Sequence, residues 1–160
     1  DILAGMVLTL VILPFQSFVV LILIIPALLS LRGNLSGPFI ARTSRDFIIG
    51  EFNKNSWLQN IAATVTLSVV TSLLIGLLSI GLNFLIFGQL LLPISIIIAI
   101  PLISTLFTLA ISIPTSTLLN YMAFRQGFDP NNVVHPVMTA IDDFFTVICF
   151  YITLLLLGVP

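Results

Sequence analysis

Charge is what this sequence lacks. Only 7% of its 160 residues are Asp, Glu, Lys or Arg, while 59% are hydrophobic and the mean hydropathy is +1.26. Soluble domains carry about 25% charged residues, so this composition excludes an ordinary soluble domain and points to an integral membrane protein. The five basic residues form no patch for nucleic acid. A single cysteine, Cys149, excludes an internal disulfide, and in its apolar run it reads as packing. There is no Cys pair, His pair or His-Glu-x-x-His motif for a soft metal. Nothing resembles a P-loop, which excludes an ATP-driven pump encoded here. A cleavable signal peptide is a poor reading, because apolar segments recur along the whole chain.

What is present is four apolar blocks: Ile2 to Leu31, Ile61 to Phe87, Leu90 to Met122 and Val133 to Val159. A membrane helix needs about 20 apolar residues. The first block is too long for one comfortable span, and Pro14 divides it. The expectation is a truncated helix ending near Pro14, a second helix from about Phe15, and five membrane helices in all, with four as the alternative count. Pro101 and Pro114 are expected to kink a single long helix in the third block. The fold class is therefore all-α and polytopic. With apolar sequence already running at Ile2 and no polar tail after Gly158, residues 1–160 read as a single domain that is one half or a fragment of a longer protein.

The basic residues Arg32, Arg42, Arg45 and Lys54 follow the first block, and Arg125 follows the third. Reading both groups as loops puts them on one side of the membrane, the cytoplasmic side by the positive-inside rule, with Gly88 outside. The stretch from Arg32 to Ser56 holds Gly33, Asn34, Gly37 and Pro38 and is expected to sit at the membrane interface or enter the protein interior. Asn34-Leu35-Ser36 matches a glycosylation sequon formally, but on the side expected to be cytoplasmic.

The last block carries two adjacent acids, Asp142 and Asp143, and no others. An ionised Asp near the bilayer centre costs about 2.5–3.5 kcal/mol on insertion scales. A bound cation compensates that cost; so does protonation, a helix end or an Arg partner. Thr139 and Thr146 lie three or four residues from the acids and border them. Pro136 suits the first turn of this helix, which places His135 just outside it. Carboxylates, hydroxyls, amides and carbonyls suit hard cations such as Mg²⁺, Ca²⁺ or Mn²⁺, and Mg²⁺ commonly uses only one or two carboxylates because it keeps its waters.

Two further stripes stand out. Asn60, Thr64, Ser68, Ser72, Gly76, Ser79 and Asn83 recur at three- and four-residue spacing, as do Ser104, Thr108, Ser112, Ser116 and Asn120. Each stripe lies on one helix face. Such faces are helix-packing seams in membranes, with a hydrated pathway as the alternative.

Pro26-Ala27-Leu28-Leu29-Ser30-Leu31-Arg32-Gly33-Asn34-Leu35 with Ala41-Arg42-Thr43-Ser44, and the later run from Asp129 through Pro136 to Asp143, resemble two ordered signatures of the MgtE magnesium transporter family. The branch with eukaryotic solute-carrier magnesium transporters and archaeal relatives is the nearer match. Ala4-Gly5-Met6-Val7-Leu8 is similar to the family's first helix. The resemblance implies an MgtE-like five-helix pore domain used as a homodimer or as two fused repeats, with a Mg²⁺ path along the twofold axis. It implies that the family's pore aspartate falls on Asp143 and its Gly-Asn turn on Gly33 and Asn34. Asp142 stands where relatives carry an uncharged residue, Asn131 replaces a common Asp, and Thr9 stands near a position where several relatives have an acid.

The function expected is transport of a divalent cation, Mg²⁺ first and Mn²⁺ or Co²⁺ as alternatives, through a multi-pass protein of the plasma membrane. Its partners are the lipid bilayer and a second copy or repeat. The expected ion site comprises Asp143, Asp142, Asn34, Gly33 and Thr139. No catalysis is expected. The rivals are a proton- or Na⁺-coupled transporter whose acids titrate, and a structural membrane subunit; a membrane enzyme using the acids to hold a metal and a phosphate lacks the clustered acids, histidine and basic residues it needs.

Overall fold

The computed structural model describes residues 2–9, 18–88, 90 and 92–159, apart from the side chains at positions 3 and 87. Among the described residues five helices run in chain order: α1 Ile2–Leu8, α2 Val20–Ile48, α3 Lys54–Phe87, α4 Ile94–Arg125 and α5 Pro130–Leu156. No strand occurs among the described residues. The four helices α2 to α5 are long and apolar enough to cross a membrane. The seven residues of α1 occupy the place of the expected truncated helix. Its expected end near Pro14 and the expected start of the next helix near Phe15 lie outside the described residues.

Helix ends follow local chemistry. Asn53 starts α3, accepting a 2.9 Å hydrogen bond from the Ser56 amide. Asp129 starts α5, accepting at 3.0 Å from the Asn131 amide, with Pro130 in the first turn where no helical bond is lost. The helix therefore begins one and a half turns earlier than Pro136 suggests. His135 and Pro136 are inside it, and Asp143 becomes the middle residue of 27, about 20 Å from either end. Pro101 and Pro114 lie within the single helix α4, as expected.

A larger correction concerns the segment after Arg32. No loop or interfacial segment begins there: α2 continues unbroken through Gly33, Gly37 and Pro38 to Ile48. The three arginines expected in a loop, Arg32, Arg42 and Arg45, belong to this helix. In a bilayer every backbone polar group must be satisfied internally, which favours continuing the helix even through Gly and Pro. Arg32 does not break it because its charge finds a partner.

Packing is tightest where side chains are smallest. α2 packs on α3, α4 and α5; α4 packs on α3 and α5; α1 rests on α5. The apolar core, Leu21, Ile24, Leu28, Ile97, Ile100, Phe150 and Leu154, fills one end of the bundle between α2, α4 and α5. The stripe from Thr64 to Asn83 on α3 and that from Ser104 to Asn120 on α4 are both buried, so these faces are packing seams. At Gly76 an added Cβ would lie 3.0 Å from the Ile98 Cα, so this glycine permits α3 and α4 to touch backbone to backbone. At Gly37 it would lie 3.0 Å from the His135 Nε2, which marks the close approach of α2 and α5.

The C-terminal end of α2 meets the C-terminal end of α4. Phe47 stacks on Phe52 at 4.1 Å and lies 6.1 Å from Phe124, and Trp57 Nε1 donates to Thr117 Oγ1 at 3.0 Å. Arg42, Arg45, Lys54 and Arg125 thus share one end of the bundle. Buried Asp46 ties this end together. Its carboxylate accepts from Ser56 Oγ, from Arg45 Nη2 at 3.2 Å and from Asn60 Nδ2 at 3.4 Å, while its carbonyl accepts from the Glu51 and Phe52 amides at 2.9 and 3.0 Å.

Candidate ion site

The two adjacent acids of α5 face different surroundings, because neighbouring residues on a helix point about 100° apart. Asp142 points inward and is 2% exposed. Its Oδ1 accepts from Arg32 Nη2 of α2 at 3.3 Å and from Ser112 Oγ of α4, and Arg32 Nη2 also reaches Ser112 at 2.5 Å. Three helices therefore meet on one buried ion pair, with Arg32 1% exposed. Thr146, one turn beyond Asp142, is buried on the same face.

Asp143 points outward. It is half-buried and lines a cavity of about 210 Å³ with Ala4, Gly5 and Leu8 of α1, Leu29 of α2 and Val147 of α5. Among the described residues, no side chain donates a hydrogen bond to its carboxylate. Thr139 lies one turn before it, also half-buried, with its hydroxyl donated to the His135 carbonyl at 3.0 Å. That leaves the Thr139 oxygen free to accept or to coordinate.

α2 and α5 run antiparallel here. Leu29 borders the Asp143 cavity and Gly37 touches His135. Gly33 lies midway between them along α2, and a Cβ added there would meet nothing within 4 Å. Gly33 is half-buried and Asn34, next to it, is exposed. Ser30, Asn34 and Pro38 form an exposed row on α2 beside the face of α5 that carries Asp143. The exposed face of α3 is mostly apolar, presenting Leu67, Val70, Leu74, Leu77 and Leu78. Among the described residues, α2 and α5 thus place an amide and an acid near the middle of the bundle on partly exposed faces.

Of the five residues expected at the site, Asp143 and Thr139 lie one turn apart on α5, both half-buried, while Gly33 and Asn34 lie on α2 and do not line the Asp143 cavity. Asp142 is turned away into its pair with Arg32. Sequence reasoning assigned Arg32 to a loop and Ser112 to a packing stripe, and so missed both partners of Asp142. The available signal was a lone Arg between two apolar stretches in a chain with an unmatched buried acid. Among the described residues no three Asp, Glu, His or Cys side chains converge. Among the described residues, Asp143 is thus a carboxylate at the middle of α5 without a side-chain partner.

The family model of MgtE, described as a divalent cation transporter, matches residues 25–153. No curated protein and no solved structure matches the chain. The match runs from the start of the Pro26 signature through α5 and takes in both acids and their partners. This chain belongs to the MgtE family of divalent cation transporters.

Proposed function

We propose that the chain moves Mg²⁺ across the plasma membrane along a path between two copies, or two homologous repeats, with Asp143 of each holding the ion through its water shell. The observation that carries this reading is the contrast between the two acids. Asp142 has an internal counter-ion, while no basic side chain among the described residues pairs with Asp143, which sits at the middle of α5 and opens outward. A carboxylate left half-buried at membrane depth calls for a cation from outside the fold.

Mg²⁺ suits a sparse site because it releases its waters reluctantly and commonly binds through one or two carboxylates. Thr139, Asn34 and the backbone near Gly33 supply neutral oxygens, apt for hydrogen bonds to the ion's waters. A path at an interface is supported by the partial exposure of Asp143 on α5 and of Asn34 on α2 in one bundle; a second copy facing them would enclose the ion.

Mg²⁺-dependent thermal stabilisation of the purified protein tests the reading. A ligand stabilises the fold only through its affinity for it. Asp143→Asn preserves shape and removes charge, and is expected to abolish the Mg²⁺-dependent shift. A full shift in that variant would overturn the site. A shift that responds to Na⁺ or pH and not to Mg²⁺ would favour the coupled-transporter alternative.

A further inference from the structure

We propose that Arg32 sets the charge of the transport path: by neutralising Asp142 from inside the bundle, it leaves each copy presenting one net negative charge, that of Asp143, to the cation. This rests on the reading of Asp143 given above.

The geometry separates the two acids cleanly. Arg32 and Asp142 come from the middles of α2 and α5, meet at 3.3 Å and are sealed from solvent at 1% and 3% side-chain exposure. An Arg side chain keeps its charge under physiological conditions. Its remaining nitrogens, Nε and Nη1, are buried without a partner. Arg32 also lines a small cavity of about 10 Å³ with Ser36, Thr64, Ser112 and Ser116, which is close to the room one water needs. The hydroxyls there already donate elsewhere, Ser36 to the Arg32 carbonyl at 2.9 Å, Thr64 to the Asn60 carbonyl at 2.9 Å and Ser116 to the Ile113 carbonyl at 3.1 Å. They are left as acceptors, and a water receiving from Arg32 and donating to them completes the set.

Charge counting gives the consequence. With Arg32 in place, two facing copies offer two net negative charges, the complement of one divalent cation. Without it they offer four, and a low-dielectric interior screens the added field poorly. Such a path would hold a divalent ion too firmly to release it. Removing Asp142 instead leaves Arg32 unbalanced beside Asp143 and repels the ion. The two single neutralisations therefore have opposite signs, which a merely structural strut does not produce.

The test is a Mg²⁺ titration of thermal stability and of uptake into proteoliposomes, on the full assembled protein. Arg32→Met is expected to tighten the apparent Mg²⁺ affinity about tenfold and lower the maximal rate, and Asp142→Asn to weaken affinity about tenfold. The double variant Arg32→Met/Asp142→Asn is expected to return to within about twofold of the parent, since neither charge remains. If Arg32→Met alone does not fold, Asp142→Asn and the double variant still decide, because losing Arg32 must then restore affinity. Single variants that both weaken Mg²⁺ binding, or a double variant no better than Asp142→Asn, would overturn the proposal. Asp143→Asn is run alongside. If it leaves the Mg²⁺ response intact, the site itself is wrong; if it abolishes the response while the charge series fails, only the role of Arg32 falls.

Discussion

Arg32 Nη2 on α2 lies 3.3 Å from Asp142 Oδ1 on α5, both side chains being almost wholly buried. Each sits near the middle of its helix, and Ser112 of α4 joins them. This contact fixes which way α5 faces, and so turns Asp143 away from it, toward the cavity lined by α1 and Leu29.

The stability of the bundle should depend on that pair asymmetrically. Removing one partner strands a buried charge, and such changes cost about 3–5 kcal/mol, whereas replacing both by apolar residues of similar volume is often neutral or better. Asp142→Ala is expected to lower thermal stability sharply, and Arg32→Met/Asp142→Leu to recover most of it. Melting of the detergent-solubilised protein without Mg²⁺ measures this. Equal losses in the single and double variants would show that the pair does not hold the helices together.

Two glycines should respond differently to the same added methyl group. At Gly76 the new Cβ meets the Ile98 Cα at 3.0 Å, so α3 and α4 must separate. Overpacking of this kind costs about 1–3 kcal/mol. At Gly37 the atom met is the His135 ring at the same 3.0 Å, and a side chain can swing aside. Gly76→Ala is expected to destabilise clearly and Gly37→Ala hardly at all. The reverse order in thermal melts would mean that α3 and α4 do not touch as described.

Arg42, Arg45, Lys54 and Arg125 share one end of the bundle, and the positive-inside rule makes that end cytoplasmic. In a Cys149→Ala background, Lys54→Cys and Arg125→Cys are expected to label from the cytoplasmic side and Gly88→Cys from outside. Labelling of positions 54 and 125 from opposite sides would contradict the helix arrangement itself.

The path between copies predicts where copies meet. Asn34→Cys lies on the exposed polar row of α2, and Leu74→Cys on the apolar face of α3. Oxidation in membranes is expected to cross-link position 34 between copies and to leave position 74 unlinked. The opposite pattern would move the interface to α3 and leave Asp143 facing lipid.

Much of this was legible in the sequence. The last three apolar blocks became α3, α4 and α5, because long apolar runs have no other stable form in lipid. The four-residue spacing of Thr64, Ser68 and Ser72, and of Ser104, Thr108 and Ser112, gave buried seams because small side chains let helices approach. The misreadings have separate causes. Arg32, Gly33, Gly37 and Pro38 read as a helix end by propensity, but tertiary partners overrode it; Pro136 read as a helix start, but the Asp129 cap with Pro130 starts the helix earlier. Arg32 is accommodated by Asp142, which is far away in sequence and invisible to periodicity. Asp46 went unnoticed because its hydrogen bonds, to Ser56 and Asn60, also depend on how α2 turns into α3. The sequence separates Asp142 from Asp143 by about 100° of helix, but the partner that takes up Asp142, Arg32, appears only in the fold.

Mg²⁺ uptake by proteoliposomes carrying Asp143→Asn, compared with the parent protein at matched incorporation, tests the central claim most directly. The account predicts uptake at the level of empty vesicles, with the protein still folded and assembled. Uptake at the parent rate would contradict it, because no other unpaired acid among the described residues lies at that depth in the bundle.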